Sequence, residues 1–187
     1  MTRYADIQFA VLRGRETVNP WLAAFGGTCA NYKEFAGPKT WRETFNTRNE
    51  MLQWFLADTT LPWLFMSDDD IVLTLDSKPL LESEADVTTP HVVGTDGTEG
   101  HRRTMATGAI KFSRKAVELL VGKWKAPASS CGCNQFHNVC VRAGIQPVKA
   151  GIVGHVIPVI AWPGGEYTPQ PTFPIATLMA LWEQDKA

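Results

Sequence analysis

The feature that most constrains this chain is an apolar run that ends on three carboxylates. Pro62-Trp63-Leu64-Phe65-Met66 passes without interruption into Ser67-Asp68-Asp69-Asp70. A short apolar run with no polar alternation reads as a strand covered on both faces, as the central strands of parallel sheets are. The triplet then lies at the carboxyl end of a buried strand, which is where open α/β sheets bind their ligands. Adjacent carboxylates repel one another, so the cluster costs stability unless a cation or hydrogen-bond donors compensate. If the backbone stays extended, Asp68 and Asp70 project to one side and present hard oxygen ligands to Mg²⁺ or Mn²⁺. Taken alone, the same string also reads as a solvated acidic turn.

The surrounding pattern alternates strands with helices. Ile7 to Leu12 is a short apolar strand that ends at Arg13-Gly14-Arg15. Asn19 as N-cap and Pro20 at the first helical position start a helix carrying Trp21, Leu22 and Phe25, which Gly26-Gly27 stops. A longer helix is predicted from Thr44 to Ala57, with Phe45, Leu52, Phe55 and Leu56 near one face and Arg48 and Asn49 towards its start. Strands are predicted over Ala85–Val93 and Thr107–Phe112, the second opening a helix from Ser113 to Val121. A further helix over Asn134–Ala143 stops at Gly144, and Gly151–Ile160 is a late apolar strand interrupted by His155. This order implies an α/β sandwich with a mainly parallel sheet. One domain over residues 1–187 is expected, with 163–187 a Pro-rich arm and helix.

Charge narrows the partners. With 18 Lys+Arg against 19 Asp+Glu, the net charge of -1 supplies no global positive field for nucleic acid or anionic membranes. No stretch approaches the roughly 20 apolar residues of a membrane span, and the first residues lack a secretory h-region. A cytoplasmic location is therefore the expectation.

The acidic string resembles the DxD motif of glycosyltransferases with the GT-A fold, where an apolar strand ends in such carboxylates and the last of them binds the metal. Thr47-Arg48-Asn49 is similar to the Arg-Asn segment that precedes the DxD strand in many of these enzymes. Thr107-Gly108-Ala109-Ile110, followed by Phe112-Ser113-Arg114, resembles their Gly-Ala strand entering a helix beside the donor sugar. Phe136 to Gly144 resembles their short helix with an Arg-Ala-Gly stop, and His155 matches a late metal-binding histidine. The resemblance implies a Rossmann-like α/β/α sandwich and sugar transfer from a nucleoside-diphosphate donor, UDP-linked by expectation, in the manner of stand-alone bacterial or phage enzymes. It implies Mn²⁺ or Mg²⁺ held by Asp70 and His155, with Asp68 at the ribose or a metal-bound water. Asp69, Arg48, Asn49, Arg13, Thr107, Gly108 and Ala109 are the further candidate contacts to the nucleotide sugar. A divalent metal and a cationic side chain would stabilise charge on the leaving phosphate without proton movement.

The sequence departs from that pattern at one place. Many inverting members carry a Glu-Asp pair before the late helix, the Asp serving as base, and here Gly132-Cys133-Asn134 stands instead. The base comes from elsewhere, or configuration is retained, or only donor binding survives, so the catalytic residue and the acceptor are unassigned. Asp96, Glu99 and His101 lie in a polar loop that either closes over an acceptor or is simply solvated. Cys131, Cys133, His137 and Cys140 have zinc-ligand chemistry, yet they crowd one short segment, whereas structural sites use separated pairs. A non-catalytic nucleotide-sugar or zinc-stabilised interaction domain, and a metal-dependent nucleotidyltransferase, are the alternative functions. Of the 7 tryptophans, most are expected in the core, with Trp162 in a turn-rich segment suited to a sugar.

Overall fold

The computed structural model describes residues 4–13, 31–36, 41–73, 75–94, 99–100, 105–125 and 132–155. Strands β1 (Ile7–Arg13), β2 (Tyr32–Ala36), β3 (Trp63–Asp68), β4 (Ile71–Leu73), β5 (Val87–Gly94), β6 (Glu99–Gly100), β7 (Ala109–Ser113) and β8 (Val148–His155) join one sheet. The order is β2-β1-β3-β7-β5-β8-β4, with β6 on β5. β1 runs parallel to β2 and β3, and β5 runs parallel to β8. β7 is antiparallel to both of its neighbours, and β4 is antiparallel to β8. Parallel pairing carries more of the registered residues, in the mixed α/β arrangement the alternating pattern implies.

Helices α1 (Trp41–Asp58), α3 (Arg114–Leu120) and α4 (Gly132–Arg142) cover one face, and α2 (Lys78–Glu82) lies over the other. On the first face Phe45, Met51, Leu52 and Phe55 of α1 join Val117 and Leu120 of α3 and Phe136 of α4 against Leu64, Met66, Ile110 and Phe112. Full burial of each such side chain contributes roughly 1.5–3 kcal/mol. Trp124 is buried in their midst, its ring 4.6 Å from Phe136 and 6.0 Å from Phe45. On the second face Ile7, Phe9, Val11, Phe65 and Ala109 meet Ile71, Leu73, Leu80 and Leu81. The α3 helix starts where the Ser113 hydroxyl accepts from the Ala116 N–H at 3.1 Å, and α4 ends at Gly144, whose φ of +76° suits glycine.

The elements follow the sequence with shifted ends. The strand expected over Ala85–Val93 runs Val87–Gly94, that over Thr107–Phe112 runs Ala109–Ser113, and the late strand begins at Val148, ahead of Gly151. The late helix begins at Gly132, two residues before Asn134. Among the strands and α-helices, β2, β4, α2 and the two-residue β6, which falls in the expected polar loop, come without a sequence expectation. The helix expected from Asn19, the tip of the Gly94–Arg103 loop with Asp96 and His101, residues 156–160 of the late strand, and the arm over 163–187 lie outside the described residues.

The connection from β3 to β4 fixes the shape of the sheet. Only Asp69 and Asp70 separate the two strands, so their facing ends lie at most about 11 Å apart. In a flat sheet, four strand spacings of about 4.8 Å would separate β3 from β4. The sheet must curl, and β8 and β4 come round to the carboxyl end of β3. That curl assembles the site.

Candidate functional site

Asp68 is the last residue of β3, and its N–H donates to the Gly108 carbonyl at 2.7 Å, which fixes the strand end against the approach to β7. The chain then turns through Asp69 and Asp70, both buried, into β4. In the β4–β8 ladder Ile71 registers with His155, so the residue beside Asp70 faces the end of β8. The outcome is an Asp70 Oδ2 to His155 Nε2 separation of 2.9 Å, with the aspartate side chain 10% accessible and the imidazole 36%. The two expected metal ligands therefore meet, although 85 positions separate them in sequence.

Asp68 has another partner. Arg48, reaching from α1, places Nη2 at 2.6 and 2.7 Å from the two carboxylate oxygens of Asp68, and Nη1 at 3.5 Å from the Thr107 hydroxyl. The guanidinium carbon lies 5.2 Å from the Trp124 ring centroid, and the Arg48 side chain is 5% accessible. Burial raises the Asp68 pKa above the ordinary carboxylate value; Arg48 opposes the rise, and the charges of Asp70 and Asp69 add to it. The extended geometry that would put Asp68 and Asp70 side by side does not form, because residues 69 and 70 make a turn. The triplet is split between a protein cation on its first member and an imidazole on its last.

The remaining candidates separate into groups. Gly108 touches the site: a Cβ there would lie 3.2 Å from Ile71 Cδ1 and 3.4 Å from Asp68 Oδ2, so a side chain would push on the strand ends. Thr107 is buried between Arg48 and Cys133, whose Sγ is 3.5 Å from its hydroxyl, and Ala109 is fully buried opposite Ser67. Asn49 is committed to backbone. Its amide donates to the Phe45 and Trp124 carbonyls and its Oδ1 accepts from the Gly122 N–H, so it ties α1 to the end of α3. Arg13 emerges at the same end of the sheet, one residue beyond the Leu12–Asp68 pairing, with Nη1 3.1 Å from Glu34 of edge strand β2.

The zinc-like string does not converge among the described residues. Cys133 and Cys140 are buried and form no disulfide, and burial pushes the Cys140 thiol up to about 12, far from the thiolate a metal requires. Cys131 lies outside the described residues, and among those described no group of three or more His, Cys, Asp and Glu side chains is arranged to hold a metal ion. A cation at Asp70 and His155 would need its other ligands from a bound diphosphate and water, the usual habit of Mg²⁺-type ions. The donor set fits such an ion. It combines a hard oxygen with an imidazole nitrogen at about the 3 Å spacing of two adjacent ligands on an octahedral ion.

Sequence reading missed Lys111. In Ala109-Ile110-Lys111-Phe112-Ser113 it looks like the solvent position of an alternating strand, yet it is fully buried. Its ammonium donates to the Leu81 and Ser83 carbonyls at 2.6 and 2.5 Å and lies 4.1 Å from the Trp63 ring centroid. Burial pulls its pKa down to about 7 against the upward pull of Glu84 and Glu82.

No family model matches the sequence, and no curated protein matches it. Solved structures do. The chain is similar to a glycosyltransferase involved in glycosylation of the major capsid of PBCV-1, at TM-score 0.50 and 12% identity over 85% of this chain and 96% of that one. It is similar to the catalytic domain of Drosophila β1,4-galactosyltransferase 7 in complex with xylobiose, at TM-score 0.56 and 12% identity over 97% and 79%. A complex of the same Drosophila enzyme with manganese, UDP-Gal and xylobiose matches at TM-score 0.54 and 14% identity over 90% and 78%. The likeness shows the fold, a GT-A-type Rossmann-like sheet.

Proposed function

We propose that this chain is a metal-dependent glycosyltransferase that takes a sugar from a nucleoside-diphosphate donor, UDP-linked, with Mn²⁺ or Mg²⁺ as cofactor. The observation that carries the reading is the Asp70–His155 pair at 2.9 Å, placed by the curl of the sheet at the carboxyl end of β3. An oxygen and an imidazole ligand there suit a divalent ion that also takes diphosphate oxygens, and the related Drosophila structure contains manganese and UDP-Gal in the same fold. When bound, the metal would supply charge neutralisation to the leaving diphosphate. The chain's own part is to hold that ion through Asp70 and His155. Gly108 leaves room beside the strand end, and Asp68 is held in place next to it.

The acceptor side supports a second reading. Where many inverting relatives place a carboxylate base, this chain has Cys133, buried and directed at Thr107, which cannot take a proton from an acceptor hydroxyl in that position. A donor-binding domain without transfer activity is the alternative, and release of sugar from the donor separates the two. No helix among the described residues is long and apolar enough to cross a membrane.

The reading is tested by thermal unfolding with Mn²⁺, with UDP, and with both. The pair is expected to raise the melting temperature by more than either alone, because diphosphate and carboxylate ligands complete one coordination sphere and binding stabilises the native state by mass action. Equal shifts with and without metal would remove the metal site from the proposal.

A further inference from the structure

We infer that Arg48 is a positioning residue that acts on the donor site through Asp68, keeping the first carboxylate of the triplet neutralised by the protein and leaving the cation to Asp70 and His155. The inference rests on the donor-site reading above and reassigns Arg48 from the diphosphate-contact role that its place in the sequence suggests.

The geometry of Arg48 is that of a residue already engaged. Nη2 meets both oxygens of Asp68 at 2.6 and 2.7 Å, Nη1 is within 3.5 Å of Thr107, and one face of the guanidinium lies towards Trp124 at 5.2 Å. With 5% of its side chain accessible, Arg48 offers almost no surface to a phosphate arriving from solvent. A diphosphate-clamping arginine needs free N–H groups in a fork. Here both Nη groups are spent on the protein, and Nε, which has no partner among the described residues, is buried. The anchorage continues inward, since Thr107 contacts Cys133 near the start of α4, and Asn49, the next residue on α1, is tied to the Phe45 and Trp124 carbonyls. Arg48 therefore cannot swing out without giving up Asp68, Thr107 and its place over the Trp124 ring.

The consequence concerns how three neighbouring carboxylates share one dication. A carboxylate whose two oxygens face a guanidinium within 2.7 Å is a poorer competitor for a metal, because its charge is matched and each oxygen already accepts a hydrogen bond. Asp70, two residues on and across the turn, is left to bind with His155. Holding Asp68 this way also prevents the cation from settling between Asp68 and Asp70, where it would be displaced from His155.

A double-mutant cycle tests this, using Arg48→Gln, Asp68→Asn and the two together in the full chain, with calorimetric titration of Mn²⁺ alone and of UDP in saturating Mn²⁺. Arg48→Gln is expected to bind Mn²⁺ alone severalfold more tightly, because Asp68 is released as an extra ligand, and to bind UDP about tenfold more weakly. Both changes should fall below about twofold when Arg48→Gln is made in the Asp68→Asn background. A direct diphosphate contact instead predicts the same loss of UDP affinity in both backgrounds with Mn²⁺ affinity unchanged, and that result would overturn the inference. If Arg48→Gln does not fold, Arg48→Met takes its place, since it keeps the apolar stem and removes every N–H from Asp68, and the same two outcomes apply. A wild-type chain that binds no UDP in the presence of Mn²⁺ sinks the donor-site reading and this inference together, whereas normal wild-type binding with equal losses sinks the inference alone.

Discussion

Two buried cations flank strand β3, and the protein treats them differently. Arg48, on the face covered by α1, is matched by the carboxylate of Asp68 at the strand's carboxyl end. Lys111, on the opposite face and towards the amino end, is held by two neutral carbonyls and an aromatic ring. A guanidinium stays charged at any ordinary pH, so its burial requires a counter-charge; an amine can lose its proton, and its cradle need only supply dipoles. Permanent charge is kept beside the proposed cation site, and a titratable one is kept away from it.

The sharpest way to break this comparison is at the site end. Asp70→Asn keeps the shape but removes the charge that would hold the cation, and should weaken Mn²⁺-dependent UDP binding by more than about a hundredfold, beyond the loss typical of residues that merely orient ligands. Its melting curve should match or exceed that of the wild type, since repulsion with Asp68 and Asp69 is relieved. Undiminished binding by a folded Asp70→Asn chain would remove Asp70 as a ligand.

Stability measurements sharpen the contrast itself. Asp68→Ala leaves the Arg48 guanidinium buried without its counter-charge and should cost about 3–5 kcal/mol, read from urea denaturation. Lys111→Met fills similar space, removes no counter-charge and deprives two carbonyls of a donor, which should cost about 1–2 kcal/mol at pH 9. If the two losses proved equal, carboxylate and carbonyl partners would be equivalent here.

The same contrast has a pH dependence, which belongs to the second cation. The folded Lys111 titrates near 7 against an ordinary 10.5, so between those values the unfolded chain binds more protons than the folded one. Its contribution to stability is fully present above 10.5 and lost as pH falls through about 7. Urea midpoints of the wild type should therefore rise from pH 6.5 to pH 9.5, and Lys111→Met should remove that rise. A slope that survives in Lys111→Met belongs to other groups.

What could be read from the sequence was local. The apolar run into Asp68 and the 3.6-residue stripe of Phe45, Leu52 and Phe55 located β3 and α1, because both signals lie within a single element. The three residues of β4 are too few to show a period, and the antiparallel direction of β7 leaves no trace in composition. Family resemblance brought Asp70 and His155 into consideration, but the closeness of their side chains depends on the curl of the sheet. Arg48 was visible as a cation near the site, whereas its engagement with Asp68 depends on how α1 is rotated over the sheet. Lys111 escaped notice because alternation predicts which positions share a face and is silent on whether that face is covered.

The β4–β8 ladder has a consequence for how the molecule comes into being. Asp70 is made early on a growing chain, but its partner arrives 85 residues later, on a strand that docks between β5 and β4. Closing so long a loop is entropically slow, and no local interaction substitutes for it. Until Val148–His155 has been synthesised and seated, the acidic triplet has no imidazole beside it. The proposed cation site is thus completed in one step at the end of sheet assembly, and a ribosome-bound chain that stops short of β8 would lack it however well the first three strands had paired.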